Sequence, residues 1–163
     1  MTKYLKNYKN LKIVVTGSTG FKGSWLCFWL DLLGANVTGI GLKPEKNFYL
    51  FDQLKLNRRI EQRIIDIRNF KKVDKIIREV RPDLIFHLAA QSIVSNSYNF
   101  PLETFNTNIL GSANILESFK KNKVKGLVYI TSDKCYLNLN QRKPYNEHST
   151  LGGLDNYSSS KAC

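Results

Sequence analysis

The sequence predicts an α/β fold, a doubly wound parallel sheet. Two observations carry this. Short apolar runs rich in β-branched residues alternate with amphipathic helical stretches along the chain. Glycines at 17, 20 and 23 follow the first apolar run and open the first helical stretch. Alternation of this kind puts helices on both faces of a parallel sheet, and right-handed crossovers then give the strand order 3-2-1-4-5.

The elements follow in order. "LKIVVTG" (11–17) reads as a buried first strand, and "FKGSWLCFWLDLLG" (21–34) as a helix stopped by Gly34. "NVTGIGL" (36–42) is the second strand; residues 43–59 are irregular, with a short helical turn around Phe48–Leu54. "RIIDI" (63–67) is the third strand. A helix over 69–80 presents Phe70, Val73, Ile76, Ile77 and Val80 on one face and ends before Pro82. "DLIFHLAA" (83–90) is the fourth strand, and a single long helix spans 101–122 from Pro101, a residue favoured in a first turn. "GLVYITS" (126–132) is the fifth strand. A polar loop then leads to a last helix opening near Tyr157.

Composition narrows the function classes. The 163 residues suffice for one domain with a core, and 42% hydrophobic with 12% aromatic residues fits a globular chain. No apolar run is long enough to cross a bilayer. The opening "MTKYLKNYKN" is a basic lead (1–10) without the apolar core of a signal peptide, so a cytoplasmic protein is expected, with residues 11–163 as the folded domain. Cys27, Cys135 and Cys163 are odd in number and widely spaced, which predicts reduced thiols and no metal site, with Cys27 as a small core residue. The net charge of +12 is scattered and carries no nucleic-acid-binding signature. Neither nucleic acid nor membrane is expected as a partner; an anionic substrate suits the charge.

The glycines have separate tasks. One permits the tight turn off the strand, one lets backbone approach a pyrophosphate, and one allows close packing of helix on strand. The helix N-terminus then offers free N–H groups to the phosphates. Gly17, Thr19, Gly20, Phe21, Lys22 and Gly23 are the expected dinucleotide contacts here, and bulky Trp25, Leu26, Phe28 and Trp29 are expected to anchor the helix in the core. Walker spacing is absent, and the pattern differs from the G-x-G-x-x-G of two-domain dehydrogenases.

By position, Asp66 and Ile67 suit an adenine, the carboxylate accepting from its amino group and Ile67 covering the ring. Leu88, Ala89, Ala90 and Gln91 suit the nicotinamide ribose, with Thr131 at the end of the fifth strand; His87 is expected to be a satisfied core residue. The acid that usually accepts a ribose 2′-hydroxyl has no counterpart in Gly41-Leu42-Lys43, so charge does not separate NAD from NADP.

Tyr157 and Lys161 are four apart and share a helix face. An ammonium beside a phenol favours the phenolate, which can take a proton from a substrate hydroxyl while hydride leaves the same carbon. "TSDKCY" (131–136) adds Ser132, able to bond the reacting hydroxyl, and the titratable pair Asp133 and Lys134. A simple oxidoreductase or epimerase does not require that pair; a dehydratase, which expels water and removes a C–H proton, does.

"VTGSTGFKGSWL", "FHLAAQSIV", "SYNFPLETFNTNILGSANILE", "TSDKCY" and "GGLDNYSSSKAC" together resemble the CDP-glucose 4,6-dehydratase family of the extended short-chain dehydrogenase/reductase superfamily. The resemblance implies a Rossmann fold holding NAD, and a nucleotide-sugar substrate, CDP-glucose. It implies oxidation at C4 with Tyr157 as base, loss of water across C5–C6 with Asp133 protonating the leaving hydroxyl, and hydride return to C6. Lys134 stands where the related dTDP-glucose enzymes keep a glutamate base, and acts either as a deprotonated base or as a charge-stabilising cation. Asn108 matches a polar helix position near that active site. The family also implies further strands and a substrate domain beyond Cys163, a homodimer or homotetramer for the full-length form, and little turnover by these residues alone. A nucleotide-sugar 4-epimerase and a non-catalytic NAD(P)-binding fragment are the alternatives.

Overall fold

The computed structural model describes residues 6–44, 49–140 and 143–163. The first five residues of the basic lead, and Phe48 of the expected helical turn, lie outside them. Five parallel strands, β1 (Lys12–Thr16), β2 (Asn36–Gly41), β3 (Glu61–Ile64), β4 (Leu84–His87) and β5 (Gly126–Tyr129), lie in the order β3-β2-β1-β4-β5. This is the doubly wound Rossmann order the sequence predicts.

Alternation along β1 divides the core. Ile13 and Val15 pack with Cys27 and Leu30 of helix α1 (Phe21–Leu32) and with Phe51 of the short helix α2 (Tyr49–Gln53). Val14 faces the other layer, with Ile40 and Ile85 under Val73, Ile76 and Ile77 of α3 (Phe70–Val80). Burial pushes the Cys27 thiol up to about 12, so it stays protonated as a small apolar side chain. Asn69 caps α3 by accepting from the Lys72 amide, and Arg81 ends it in a left-handed conformation just ahead of Pro82.

Several boundaries differ from the sequence reading. β3 begins two residues earlier than "RIIDI" suggests and ends three residues earlier, at Ile64, because its partner β2 ends opposite it at Gly41. Asp66 and Ile67 therefore lie beyond the sheet. β4 stops at His87 and β5 at Tyr129, so the residues assigned to the cofactor sit in loops past the strand ends. A short helix α4 (Val94–Asn99) escaped prediction, since "VSNSYN" has neither periodicity nor strong helix formers. The long helix is continuous from α5 (Pro101–Phe105) to α6 (Ser112–Lys121), but Asn106–Gly111 forms a π-turn between them.

Of the bulky residues expected to anchor α1, Leu26 and Phe28 are half-buried and pack against the core, whereas Trp25 and Trp29 do not. Gly23, Ser24, Cys27 and Leu30 form its buried face, while Trp25 and Trp29 are 48% and 54% exposed and Phe21 and Leu32 extend the same outer stripe. At Gly23 the helix lies too close to the turn after β1 for any side chain, and large residues enter the inner face only further along, at Leu30.

Candidate functional site

The glycine turn is shaped by contacts no side chain would tolerate. Gly17 has φ +72°, and a Cβ there would lie 2.9 Å from the Ala89 nitrogen. At Gly23 a Cβ would lie 1.9 Å from the Gly17 carbonyl oxygen. The Gly20 amide closes the turn onto that same oxygen at 3.0 Å. α1 starts at Gly20 with no side-chain cap, which leaves its first-turn amides for a ligand. Phe21 and Lys22 sit exposed on the rim.

Two glycines of β2, read from the sequence only as strand residues, make room beneath this turn. A Cβ at Gly39 would meet Ser18 Oγ at 2.7 Å, and one at Gly41 would meet Thr19 Oγ1 at 2.7 Å. Ser18 Oγ thereby reaches Gln62 Oε1 at 2.9 Å. Glycine inside a strand pattern is the signal that marks such an approach.

The loop after β4 is held against the turn by a buried chain of hydrogen bonds. Thr16 Oγ1 accepts from the Leu88 and Ala89 amides at 3.1 and 3.0 Å. Its own hydrogen then goes to His87 Nδ1, 2.6 Å away. His87 must therefore be neutral with its proton on Nε2, which donates to Ser112 Oγ at 2.9 Å. Burial, with the nearby Lys161 charge, pushes this imidazole down to about 4. It is a satisfied core histidine, as the sequence reading expects, and it also locks the loop.

The lock has a pH consequence. The unfolded imidazole takes a proton below about 6.5, whereas the folded one resists until about 4. Stability is complete above the first value and falls as pH drops toward the second, by about 2 kcal/mol between pH 7 and pH 5 from this residue alone. Urea midpoints of the wild type and His87→Gln across that range check this: the variant is expected to lose that part of the slope.

Gln91 continues the chain toward the last helix. Its amide donates to Asn108 Oδ1 at 2.8 Å, while Asn108 Nδ2 donates to the Gln91 carbonyl at 3.1 Å and to Ser160 Oγ at 2.8 Å. Ser160 Oγ donates in turn to the Tyr157 carbonyl at 2.7 Å. Both Asn108 amide hydrogens are engaged within the protein, so this side chain ties the β4 loop to the last helix and has no hydrogen left for a cofactor. The π-turn turns it inward, where it is buried. Asn108→Ala is expected to cost about 2 kcal/mol or more by leaving Gln91 unpaired, read as a lowered unfolding midpoint.

That last helix, α7 (Asn156–Ala162), is capped by Asp155, which accepts from the Ser158 amide at 2.9 Å and its hydroxyl at 2.6 Å. Burial raises the Asp155 carboxyl, but these bonds and the Lys134 charge outweigh it and hold it below the usual range. Tyr157 is buried in the first turn. Lys161 Nζ lies 6.0 Å from the centre of the Tyr129 ring, which stacks on His87 at 5.0 Å. Burial lowers the Lys161 ammonium, with Cys135 opposing.

Asp133–Cys135 forms a 3₁₀ turn beside α7 with Ser132 as its N-cap, and the Gly152 amide, in the loop ahead of α7, donates to the Cys135 carbonyl at 3.0 Å. Ser132 Oγ lies 3.1 Å from Asp133 Oδ1 and accepts from the Lys134 amide at 3.2 Å. Asp133, Lys134 and Thr131 are exposed. Ile67 is instead packed in the core against Gly111, so it offers no face to an adenine ring. Asp66 stays partly exposed, paired with Arg68. Among the described residues no cluster could ligate a metal, and no helix is long and apolar enough to cross a membrane.

A glycine turn on β1, a clamped β4 loop and a Tyr-Lys helix latched to that loop define a Rossmann domain of the extended short-chain dehydrogenase/reductase class. The chain belongs to the GDP-mannose 4,6 dehydratase family, whose pattern matches residues 14–163. It is 44% identical over 160 residues to a CDP-glucose 4,6-dehydratase of Salmonella typhimurium, covering 97% of this chain and 45% of the relative. Among solved structures, a UDP-glucose 4-epimerase from Thermotoga maritima superposes with a TM-score of 0.81 at 27% identity, covering 93% of this chain and 48% of that one. An epimerase from Methanothermobacter thermautotrophicus does so at 0.80 and 28%, covering 97% and 46%. The chain thus spans about half the length of the relatives it matches.

Proposed function

We propose that this chain is the dinucleotide-binding half of an NAD-dependent dehydratase acting on a nucleotide-activated hexose, CDP-glucose. The observation that carries the reading is the connected path from the glycine turn through Gln91, Asn108 and Ser160 to Tyr157. It couples a place for a diphosphate to a phenol and an ammonium. The 44% identity to a CDP-glucose 4,6-dehydratase supports the choice of reaction and nucleotide.

The site fits a dinucleotide: the cradle at Gly17 and Gly23 has no room for a Cβ, and the uncapped α1 amides suit phosphate oxygens. NAD, when bound, supplies a two-electron acceptor that returns its hydride at the end of the cycle. Tyr157 takes the proton of the C4 hydroxyl, with Lys161 favouring its phenolate and Ser132 bonding the same hydroxyl. The resulting ketone acidifies C5. Asp133 delivers a proton to the hydroxyl leaving C6. The C5 proton passes to Lys134 acting as a free amine, and the ammonium so formed steadies the enolate and gives the proton back to C5 as hydride adds at C6. The sugar and the cytosine base are held by a substrate half beyond the 163 residues, in a cytoplasmic homodimer or homotetramer.

The test is to incubate a chain of the relatives' full length with CDP-, dTDP-, UDP- and GDP-glucose. The alkaline absorbance of a 4-keto sugar is expected with CDP-glucose foremost. Conversion to a C4 epimer with no 4-keto product would establish the epimerase reading instead.

A further inference from the structure

The Asp66–Arg68 pair carries an inference beyond the reaction. The backbone around Asp66 is pinned at three points. The Asn69 amide donates to the Asp66 carbonyl at 3.0 Å, Asn114 Nδ2 donates to the Ile67 carbonyl at 2.9 Å, and the Ile67 side chain is buried against Gly111. The rotation of the Asp66 carboxylate is the remaining freedom, and Arg68 removes it. The Arg68 amide donates to Oδ1 at 2.8 Å, and its Nε and Nη2 donate to Oδ2 at 2.8 and 2.6 Å. A carboxylate oxygen accepts about two bonds, so Oδ2 is filled and one acceptor position remains, on Oδ1. Glu103, in the first turn of α5, lies close enough for its charge to act on the guanidinium.

We infer that Arg68 is a positioning residue for cofactor selection: it fixes Asp66 so that the single free acceptor of Oδ1 reads the 6-amino group of an adenine dinucleotide. This rests on the proposed NAD site. Both side chains are partly exposed, so the pair itself adds little stability, and Arg68 matters through the direction it gives Asp66.

The experiment measures dissociation constants of NAD and nicotinamide hypoxanthine dinucleotide for cofactor-stripped, full-length wild type, Arg68→Ala and Arg68→Lys. The hypoxanthine cofactor carries a 6-oxo group, an acceptor, in place of the amine. The wild type is expected to favour NAD by about tenfold or more, the scale of one hydrogen bond to a charged group. Arg68→Ala is expected to bring the two within about threefold by weakening NAD, with hypoxanthine binding nearly unchanged as proof of an intact fold. Arg68→Lys, which keeps the charge without the fork, is expected to fall between. Equal weakening of both cofactors, or an unchanged preference, overturns the positioning role alone. A wild type that binds NAD without preferring it overturns the adenine reading of Asp66 as well, and a wild type that binds neither overturns the cofactor reading and this inference together.

Discussion

Gly23→Ala is expected to destabilise the protein by roughly 3 kcal/mol or more and to abolish dinucleotide binding. The added methyl would lie 1.9 Å from the Gly17 oxygen and 2.6 Å from its carbonyl carbon. Both are backbone atoms, and neither can swing aside. That oxygen also receives the Gly20 amide, so pushing it away opens the turn and lifts α1 off β1. Gly20→Ala is the matched control. Its methyl would stand 3.3 Å from the same oxygen, a contact relieved by a few tenths of an ångström, and a cost below about 1 kcal/mol is expected. Urea denaturation read beside NAD titration checks both variants; equal stability of the two would show that the packing at Gly23 is not what shapes the turn.

Tyr157→Phe is expected to lower turnover of the full-length enzyme about a thousandfold while leaving its stability and cofactor affinity close to wild type. The ring is buried at the start of α7, and its hydroxyl makes no hydrogen bond among the described residues, so removing the oxygen leaves no buried partner unsatisfied. A structural tyrosine would show the reverse, a lowered melting point with little loss of rate. Single-turnover reduction of bound NAD by CDP-glucose separates the two, because in the proposed mechanism C4 oxidation is the step that needs the phenolate.

The fold was legible because its signals are local and redundant. Apolar runs, helical periodicity and right-handed crossovers each constrain the strand order, and all agree on it. Strand ends were not legible, since "RIIDI" is apolar whether its isoleucines lie in a strand or fill a turn under α3 and α6. Pairing with β2 settles that, and pairing is a property of two segments. The Trp25–Trp29 stripe was misplaced for a related reason: hydrophobicity argues for burial, but the close approach of α1 at Gly23 leaves the inner face to Ser24, Cys27 and Leu30. In the site, glycine spacing and the Tyr-Lys interval are visible as spacing. The Thr16–His87–Ser112 chain and the Asn108–Ser160 latch join residues far apart in sequence by single hydrogen bonds, which no periodicity records.

The π-turn makes the register of the long helix a matter of residue count. Deleting one residue between Asn106 and Gly111 would restore ordinary α winding and leave the downstream faces almost where they are, because the π-turn holds one residue more than an α-turn over nearly the same rotation. Ser112 would still face the imidazole and Ile115 the hydrophobic layer. A residue inserted in the regular winding on either side, with no such turn to absorb it, would instead carry both away by about 100°.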